Sequence, residues 1–142
     1  MPTENSLQRF LDAQARDYPQ ALTEIKAGRK RSHWMWYVFP QIQGLGFSST
    51  SQHYAIRDAG EAAAYLAQPV LGPRLVEIAG ELLKLGSHDA SRIFGSPDDL
   101  KLRSSMTLFA AVPGADPVFW AVLDAFFDGQ PDTKTLQLLG RQ

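Results

Sequence analysis

Large aliphatic residues recur at alternating intervals of four and three positions between residues 71 and 85, and this spacing constrains the fold more than any other feature of the chain. An α-helix has about 3.6 residues per turn, so side chains spaced in this way share one helix face, which must be buried against other elements. Gly86 follows the pattern directly and suits the left-handed residue that commonly closes a helix. The pattern predicts one central amphipathic helix, and its members are Leu71, Leu75, Ile78, Leu82 and Leu85.

Helix signals recur along the rest of the chain, and no pair of segments with strand-like alternation accompanies them. We expect a first helix to end before Pro19 and a second to start there. Pro97 and Pro117 each follow a capping residue and mark further helix starts, and Asp132 or Thr133 can cap a last helix. The length of 142 residues suits one domain, so the sequence predicts an all-α, single-domain bundle of roughly seven or eight short helices over residues 1–142.

The composition excludes several classes of function. A net charge of -1 with 20% charged residues gives no broad basic field for nucleic acid, and 44% apolar residues are enough to form a core. The chain has no cysteine, which removes thiol catalysis, disulfides and cysteine-based zinc sites. No apolar run is long enough to span a bilayer and the first residues do not form a signal peptide, so we expect a soluble, cytoplasmic protein without a membrane partner. We expect no cofactor.

Residues capable of binding or chemistry are concentrated in one stretch, RKRSHWMWYVFPQIQGLGFSSTSQHY, which runs from Arg29 to Tyr54. A cationic triplet, a dense aromatic run, two histidines and a hydroxyl-rich segment stand together there, and helix packing alone does not require that combination. The cations also complement the dipole of the helix before them, which is a structural reason for their presence. We interpret the stretch as part of a pocket, and the candidate ligand-binding residues within it are Arg29, Lys30, Arg31, Trp34, Trp36, Ser48, Ser51 and Tyr54.

The aromatic run HWMWYVF is apolar on both sides if it is extended, and a short buried helix fits it equally well. Helix signals on either side favour the helix, which we expect to end at Phe39 because Pro40 biases that residue towards an extended conformation. Trp34, Trp36 and Tyr37 each carry a polar group that either finds a partner in the core or faces a ligand. In the second case an indole could stack on a base.

The hydroxyl-rich segment leads into a helix that we expect to begin near Gln52. Ser48 and Ser51 can bind a ligand there or only cap the helix. His53 and Arg57 are four positions apart and would share one face of such a helix. A ligand at its start would then meet an imidazole and a guanidinium together.

Two further pairs of residues complete the candidate site. His33 and His53 are the candidate catalytic residues, as an acid or a base, if the protein carries out chemistry. Two histidines so far apart, with no carboxylate at ligand spacing, do not predict a metal site. Ser104 and Ser105 lie side by side within a predicted helix, where serines either allow close helix approach or face a polar group, so both are candidates for ligand binding.

Five segments of the chain resemble a known bacterial family. They are GRKRSHWMWYVFPQIQGLG, YAI, AYL with PVLGPRL, IFG with KLRSSMTLF, and FFDG with DTKTL. Through them the chain, from about Phe10 to Leu139, is identified as similar to the uncharacterised family called domain of unknown function 1810, some members of which carry the label calpastatin. The resemblance implies a mainly helical single domain, and it implies no activity.

A shorter segment, from Ser48 to Arg74, is similar to the superfamily of ADP-ribose-processing proteins, some of which are N-glycosidases. The likeness is carried by the order SxxSQHYAI, an alanine-rich helix and PxxGxR. The acidic residue expected before the histidine-tyrosine pair is Gln52 here. A glycosidase needs a carboxylate to stabilise charge or activate water, so the resemblance implies that Glu24 or Glu61 takes that role.

Two functions from different classes follow. The first is a pocket for a phosphorylated or nucleotide-like molecule of the ADP-ribose or NAD type, with N-glycosidic hydrolysis as its chemistry if a bond is broken. The alternative is a small interaction module whose basic-aromatic patch docks an acidic protein segment. The sequence leaves open whether the protein is an enzyme and whether it has a protein partner. Nucleic acid is not indicated as a partner. The expected phosphate contacts are Arg29, Lys30, Arg31 and Arg57.

Overall fold

The protein folds into nine helices, with no strand, over the part of the chain that the computed structural model describes, which is the backbone of residues 2–140 and the side chains of residues 7–140. This confirms the all-α prediction. The nine described helices slightly exceed the seven or eight expected, and three of them have only four or five residues. In chain order they are α1 (Pro2–Lys26), α2 (Met35–Val38), α3 (Ser49–His53), α4 (Ala59–Ala67), α5 (Leu71–Leu83), α6 (Ala90–Phe94), α7 (Asp98–Ala110), α8 (Val118–Phe127) and α9 (Thr133–Gly140).

Helix α5 lies at the centre of the core, as its apolar spacing predicts. Leu71, Leu75, Ile78 and Leu82 on its inner face are at most 1% exposed. The helix packs against α1, α4 and α8, and α7 packs in turn on α8 and α9. Full burial of a large aliphatic side chain stabilises the folded state by about 1.5–3 kcal/mol, so this face anchors the elements that carry the site.

Helix α1 continues through Pro19, which corrects the expected break at that residue. A proline inside a helix removes one hydrogen bond and clashes with the preceding turn, at a cost of about 3 kcal/mol. Core packing offsets this cost, because Tyr18, Ala21 and Ile25 on both sides of the proline are buried. The Thr23 hydroxyl also donates to the Pro19 carbonyl at 3.0 Å. One long helix therefore replaces two expected short ones.

The aromatic run forms the short helix α2, as the sequence favours, and α3 then ends sooner than expected. Ile42 and Ile56 form a parallel β-bridge, in which Gln43 N donates to the Ile56 carbonyl at 2.7 Å. Because the chain is extended at this bridge, the helix stops at His53. The expected helix containing both His53 and Arg57 is therefore wrong, and Arg57 lies on the segment that leads into α4.

Side-chain caps fix the starts of several helices. Ser48, Asp58 and Asp89 each accept a hydrogen bond from a backbone N–H of the following first turn, at 2.8–3.2 Å. Asp132 Oδ2 accepts from Thr135 N at 3.0 Å, which confirms the expected cap of α9. None of the helices in residues 2–140 has the length and apolarity that crossing a bilayer requires.

Candidate functional site

Two cavities share part of the loop between α2 and α3, because Gly46 and Phe47 line both of them. The larger, which we call the arginine cavity, has a volume of about 600 Å³. The smaller, which we call the tryptophan cavity, has a volume of about 410 Å³. Both volumes fall in the range of small-molecule sites. The arginine cavity is lined by Arg9, Gln43, Gly44, Gly46, Phe47, Gln52, His53, Ala55 and Arg57.

Arg9 is held in place at the arginine cavity by three acceptors. Its Nε donates to the His53 carbonyl at 2.7 Å, and its Nη2 donates to the Ala55 carbonyl at 2.8 Å and to Glu61 Oε1 at 3.1 Å. The guanidinium also lies 4.4 Å from the centroid of the Phe10 ring. Its Nη1 makes no hydrogen bond with any residue between 7 and 140. Arg9 is thus fixed in orientation, and residues 7–140 leave its Nη1 donors unused.

Arg57 shares the same carboxylate with Arg9. Its Nε lies 3.4 Å from Glu61 Oε2, and its backbone N–H donates to Glu61 Oε1 at 2.9 Å. The Arg57 side chain is 51% exposed, whereas the Glu61 side chain is fully buried. One buried carboxylate therefore orients two guanidinium groups, and the lining of this cavity carries more positive than negative charge.

Two glycines bring the loop backbone to the edge of the arginine cavity. Gly44 has a φ of 109°, in the left-handed region that favours glycine. A Cβ added to Gly46 would lie 2.5 Å from Ser51 Oγ, so any larger residue would displace the loop or α3. A Cβ added to Gly44 would lie 3.2 Å from the Leu138 side chain, so both glycines allow this loop to pack closely against its neighbours.

The indole of Trp36 is half-buried at the tryptophan cavity. Lys101 Nζ lies 4.7 Å from the centroid of this ring, a distance that suits a cation–π contact. The neighbouring Phe47 side chain is 85% exposed. The cavity is lined by Trp36, Gln41, Leu45, Gly46, Phe47, Ser48, Ser51, Pro97, Leu100, Lys101, Ser104 and Asp132.

The charged groups at the tryptophan cavity are paired. Asp98 lies 3.1 Å from Lys101 Nζ through one oxygen and 2.8 Å from Lys30 Nζ through the other. Burial alone would raise the pKa of Asp98, but hydrogen bonds from the two lysines outweigh it and lower that pKa. Asp132 is occupied as the cap of α9, where it accepts from Thr135. This cavity is therefore polar but close to neutral, unlike the arginine cavity.

The structure brings six of the sequence-predicted residues to the two cavities. Those at the tryptophan cavity include serines with structural contacts of their own, since Ser51 N donates to Ser48 Oγ at 3.1 Å and Ser104 Oγ donates to the Leu100 carbonyl at 3.2 Å. Ser48 and Ser51 thus cap α3 and also face the cavity. The six residues are His53 and Arg57 at the arginine cavity, and Trp36, Ser48, Ser51 and Ser104 at the tryptophan cavity.

The cationic triplet does not line either cavity. Arg29 and Arg31 are exposed, and their side chains form no ion pair with the described part of the chain. The Lys30 side chain is only 8% exposed, is paired with Asp98, and places Nζ 5.3 Å from the centroid of Trp34. Lys30 therefore fastens the loop after α1 to the start of α7, which corrects its expected role as a phosphate contact.

Trp34 is only 1% exposed, which corrects its expected role in stacking a ligand. Its Nε1 donates to Glu24 Oε1 at 2.9 Å, and the same oxygen accepts from the backbone N–H groups of Arg31 and Ser32 at 2.7 and 3.0 Å. Burial raises the pKa of Glu24, but hydrogen bonds from Ser32, Arg31, Gln20 and Trp34 outweigh it and lower the pKa to about 2. Glu24 is committed to holding this loop.

The remaining candidates also lie apart from the cavities. His33 is exposed, and its carbonyl lies 3.1 Å from the Tyr37 hydroxyl. Tyr54 packs among aromatic rings, 5.0 Å from Tyr37 and 6.0 Å from Phe10 between centroids. Ser105 is fully buried in α7, which corrects its expected contact with a ligand and fits close helix approach. Within residues 7–140 its Oγ is the one buried side-chain polar atom without a hydrogen-bond partner.

Two cavity residues, Arg9 and Lys101, carry no local signal that marks them as functional. Arg9 is 44 positions from His53 and sits on a helix whose visible pattern is its apolar stripe. Lys101 stands among other polar residues in α7. Arg9 and Lys101 reach the cavities only because α1 and α7 pack beside the loop. A local sequence pattern does not predict that long-range contact.

Comparison with known proteins agrees with the fold and assigns no activity. The family described as "Protein of unknown function (DUF1810)" matches residues 4–139. The chain is also similar to the crystal structure of the conserved hypothetical protein Rv1873 from Mycobacterium tuberculosis, with 48% sequence identity over 94% of this chain and 96% of that chain, and a TM-score of 0.92. No curated protein matches the chain.

Proposed function

This chain belongs to the DUF1810 family of proteins of unknown function, and we propose that it binds a small phosphorylated, nucleotide-like molecule through the arginine cavity. The observation that carries the proposal is the buried Glu61 carboxylate, which orients the guanidinium groups of Arg9 and Arg57 at one cavity. Preorganised donors lose little conformational entropy when a ligand binds, so this arrangement favours recognition of an anion.

The charge balance of the cavity suits a phosphate group. Two guanidinium groups share one carboxylate, and the Glu61 side chain is fully buried and does not face the ligand. Within the described residues, the lining of the arginine cavity contains no carboxylate that would repel an anion. A guanidinium presents parallel N–H donors that match two phosphate oxygens, and such charge-assisted hydrogen bonds are about twice as strong as neutral ones.

His53 adds a third group to the phosphate site. His53 belongs to the lining of the cavity, and its carbonyl accepts the hydrogen bond from Arg9 Nε at 2.7 Å. The imidazole ring also packs edge-on against Tyr54, with 4.6 Å between centroids. An imidazole carries at least one N–H whether it is neutral or charged, so His53 can donate to a phosphate oxygen if its ring turns towards the cavity.

The proposal is for binding without hydrolysis. Cleavage of an N-glycosidic bond needs a carboxylate that reaches the sugar or a water molecule. The two carboxylates implied by the resemblance are engaged elsewhere, because Glu61 is buried behind the arginines and Glu24 holds the loop around Trp34. Gln52, which lines the cavity, cannot supply the missing charge.

The alternative function, docking of an acidic protein segment, keeps only part of its expected surface. Arg29 and Arg31 are exposed and available to an acidic partner. Trp34 is buried and Lys30 is paired with Asp98, so one indole and one cation are missing from that patch. Ion pairs of exposed side chains contribute little binding energy, so two exposed arginines support a docking module less well than the arginine cavity supports a ligand site.

A thermal-shift experiment tests the proposal. The protein is heated with inorganic phosphate, pyrophosphate, nucleoside monophosphates, ADP-ribose or NAD, and potassium chloride at equal ionic strength is the control. A ligand at a hundredfold excess over its Kd stabilises the protein by about 2.7 kcal/mol, which raises the Tm by roughly 5 to 10 °C for a chain of this size. Absence of any shift beyond the chloride control would overturn the proposal and leave the docking module as the better function.

A further inference from the structure

We infer that the tryptophan cavity is the second half of the same binding site and takes a neutral planar ring. The ligand class is then a nucleotide, or a similar conjugate of a phosphate group with an aromatic base. The inference rests on the proposed function, because the arginine cavity must hold the phosphate group. Its starting point is the shared lining: Gly46 and Phe47 border both cavities, so the two cavities adjoin at this loop.

The two cavities differ in charge, and this difference assigns their ligand groups. The arginine cavity has two guanidinium groups for one carboxylate. In the tryptophan cavity Lys101 is paired with Asp98 at 3.1 Å, and Asp132 is occupied by the first turn of α9. The second cavity thus attracts neither a strong anion nor a strong cation, whereas burial of an uncharged ring there needs no counter-charge.

Two aromatic side chains give the neutral cavity its affinity for a ring. The half-buried Trp36 indole lines this cavity, and Lys101 Nζ lies 4.7 Å from its ring centroid, so a base would stack on the part of the ring that the lysine leaves open. Phe47 is 85% exposed, and a bound ring would remove part of its apolar surface from water. Stacking of a base on an aromatic side chain is tolerant of base identity, so the site does not need to specify one base.

A side-chain amide supplies polar contacts for the edge of the ring. Gln41 lines the tryptophan cavity, and its amide makes no hydrogen bond with the part of the chain between residues 7 and 140. An amide offers one acceptor and two donors, which match the mixed donor and acceptor groups on the edges of nucleobases. Ser104 also lines this cavity, but its hydroxyl already donates within the protein, to the Leu100 carbonyl at 3.2 Å or to Asp132 Oδ2 at 3.3 Å.

Titration calorimetry with matched probes tests the inference. The probes are inorganic phosphate, the common nucleoside monophosphates and the corresponding uncharged nucleosides. We expect at least one nucleoside monophosphate to bind about tenfold or more tightly than phosphate, and to quench the fluorescence of Trp36. Trp36→Leu should remove that preference and the quenching while leaving phosphate affinity unchanged. Trp120→Leu is the control, since Trp120 is 46% exposed and lines neither cavity.

A second variant keeps the test valid if Trp36→Leu does not fold. Phe47→Ala alters a side chain that is 85% exposed, so it should fold normally and weaken nucleotide binding several-fold. Equal binding of phosphate and nucleotides, both lost in Arg57→Ala, would overturn the inference and leave the proposed function standing. Binding of no probe would overturn the proposed function and the inference with it. Tight binding of an uncharged nucleoside that Arg57→Ala does not change would show that the two cavities are not one site.

Discussion

The carboxylate of Glu61 and the guanidinium of Arg9 lie 3.1 Å apart although 52 positions separate them in the sequence. The Glu61 side chain is fully buried and that of Arg9 is 15% exposed. This contact joins α1 to the first turn of α4, and the same carboxylate also meets Arg57. The arginine cavity therefore depends on a long-range ion pair, which gives the structure a direct test.

Glu61→Gln should destabilise the protein by about 2–4 kcal/mol, because it leaves a largely buried guanidinium without its counter-charge. Urea unfolding at neutral pH measures the change. Glu81→Gln is the matched control, since Glu81 pairs at 2.9 Å with Lys84, whose side chain is 72% exposed. An exposed pair of this kind contributes little, so the control should stay within about 0.5 kcal/mol of the native protein. Equal losses in the two variants would contradict the structural role of Glu61.

Glu24→Gln should reduce stability at neutral pH by about 3 kcal/mol, because the lowered pKa of this carboxyl reports stabilisation of its charged form. The pKa falls from 4.5 to about 2 on folding, so the folded state binds this proton less readily than the unfolded state. The contribution is complete above the unfolded pKa of 4.5 and is lost as the pH falls towards about 2. The stability difference between the native protein and the variant should therefore shrink over that interval. A difference that stays constant with pH would show that the charge of Glu24 does not stabilise the loop.

Ile78→Ala should cost about 2–5 kcal/mol, because Ile78 is fully buried on the inner face of α5 and its removal leaves a cavity. Val70→Ala is the control, because Val70 directly precedes α5 and is 39% exposed. We expect it to change the free energy of unfolding by less than about 0.5 kcal/mol. Chemical denaturation of both variants makes the comparison. Similar costs would mean that α5 is not the central packing helix.

Gly46→Ala should weaken ligand binding more than it lowers stability. The new Cβ would lie 2.5 Å from Ser51 Oγ and 2.7 Å from Ser51 Cβ, so the loop that borders both cavities must shift. Adding Ser51→Gly removes both contacting atoms and should recover part of the lost affinity, as measured by thermal shift with a nucleotide. Unchanged affinity in Gly46→Ala alone would show that the position of this loop does not matter for binding.

Local sequence signals predict the elements of this fold better than its long-range contacts. The apolar spacing from Leu71 to Leu82 and the cap at Asp132 are visible in the sequence because each depends on neighbouring residues only. The continuation of α1 through Pro19 is not, since it depends on burial of Tyr18 and Ile25 against other helices. At Pro19, tertiary packing therefore overrides the low helix propensity of proline.

In the candidate site, too, local sequence signals predict which residue types are present but not which long-range contacts they make. The aromatic run indicates that several polar aromatic groups need partners, but only the packing of the chain separates Trp34, which meets Glu24 in the core, from Trp36, which stays at a cavity. His53 and Arg57 come to one cavity by way of a β-bridge and not along one helix face. The contribution of Arg9 is invisible locally because its partners lie 44 to 52 positions away.

The most direct measurement compares two arginine-to-alanine variants that change the net charge equally. Arg57 lines the arginine cavity, whereas Arg31 is exposed and lines neither cavity. By titration calorimetry with a nucleoside monophosphate, Arg31→Ala should bind like the native protein and Arg57→Ala about tenfold to a hundredfold more weakly, as expected for loss of a charge-assisted contact. Equal affinities for both variants, or equal weakening in both, would contradict phosphate recognition by this cavity.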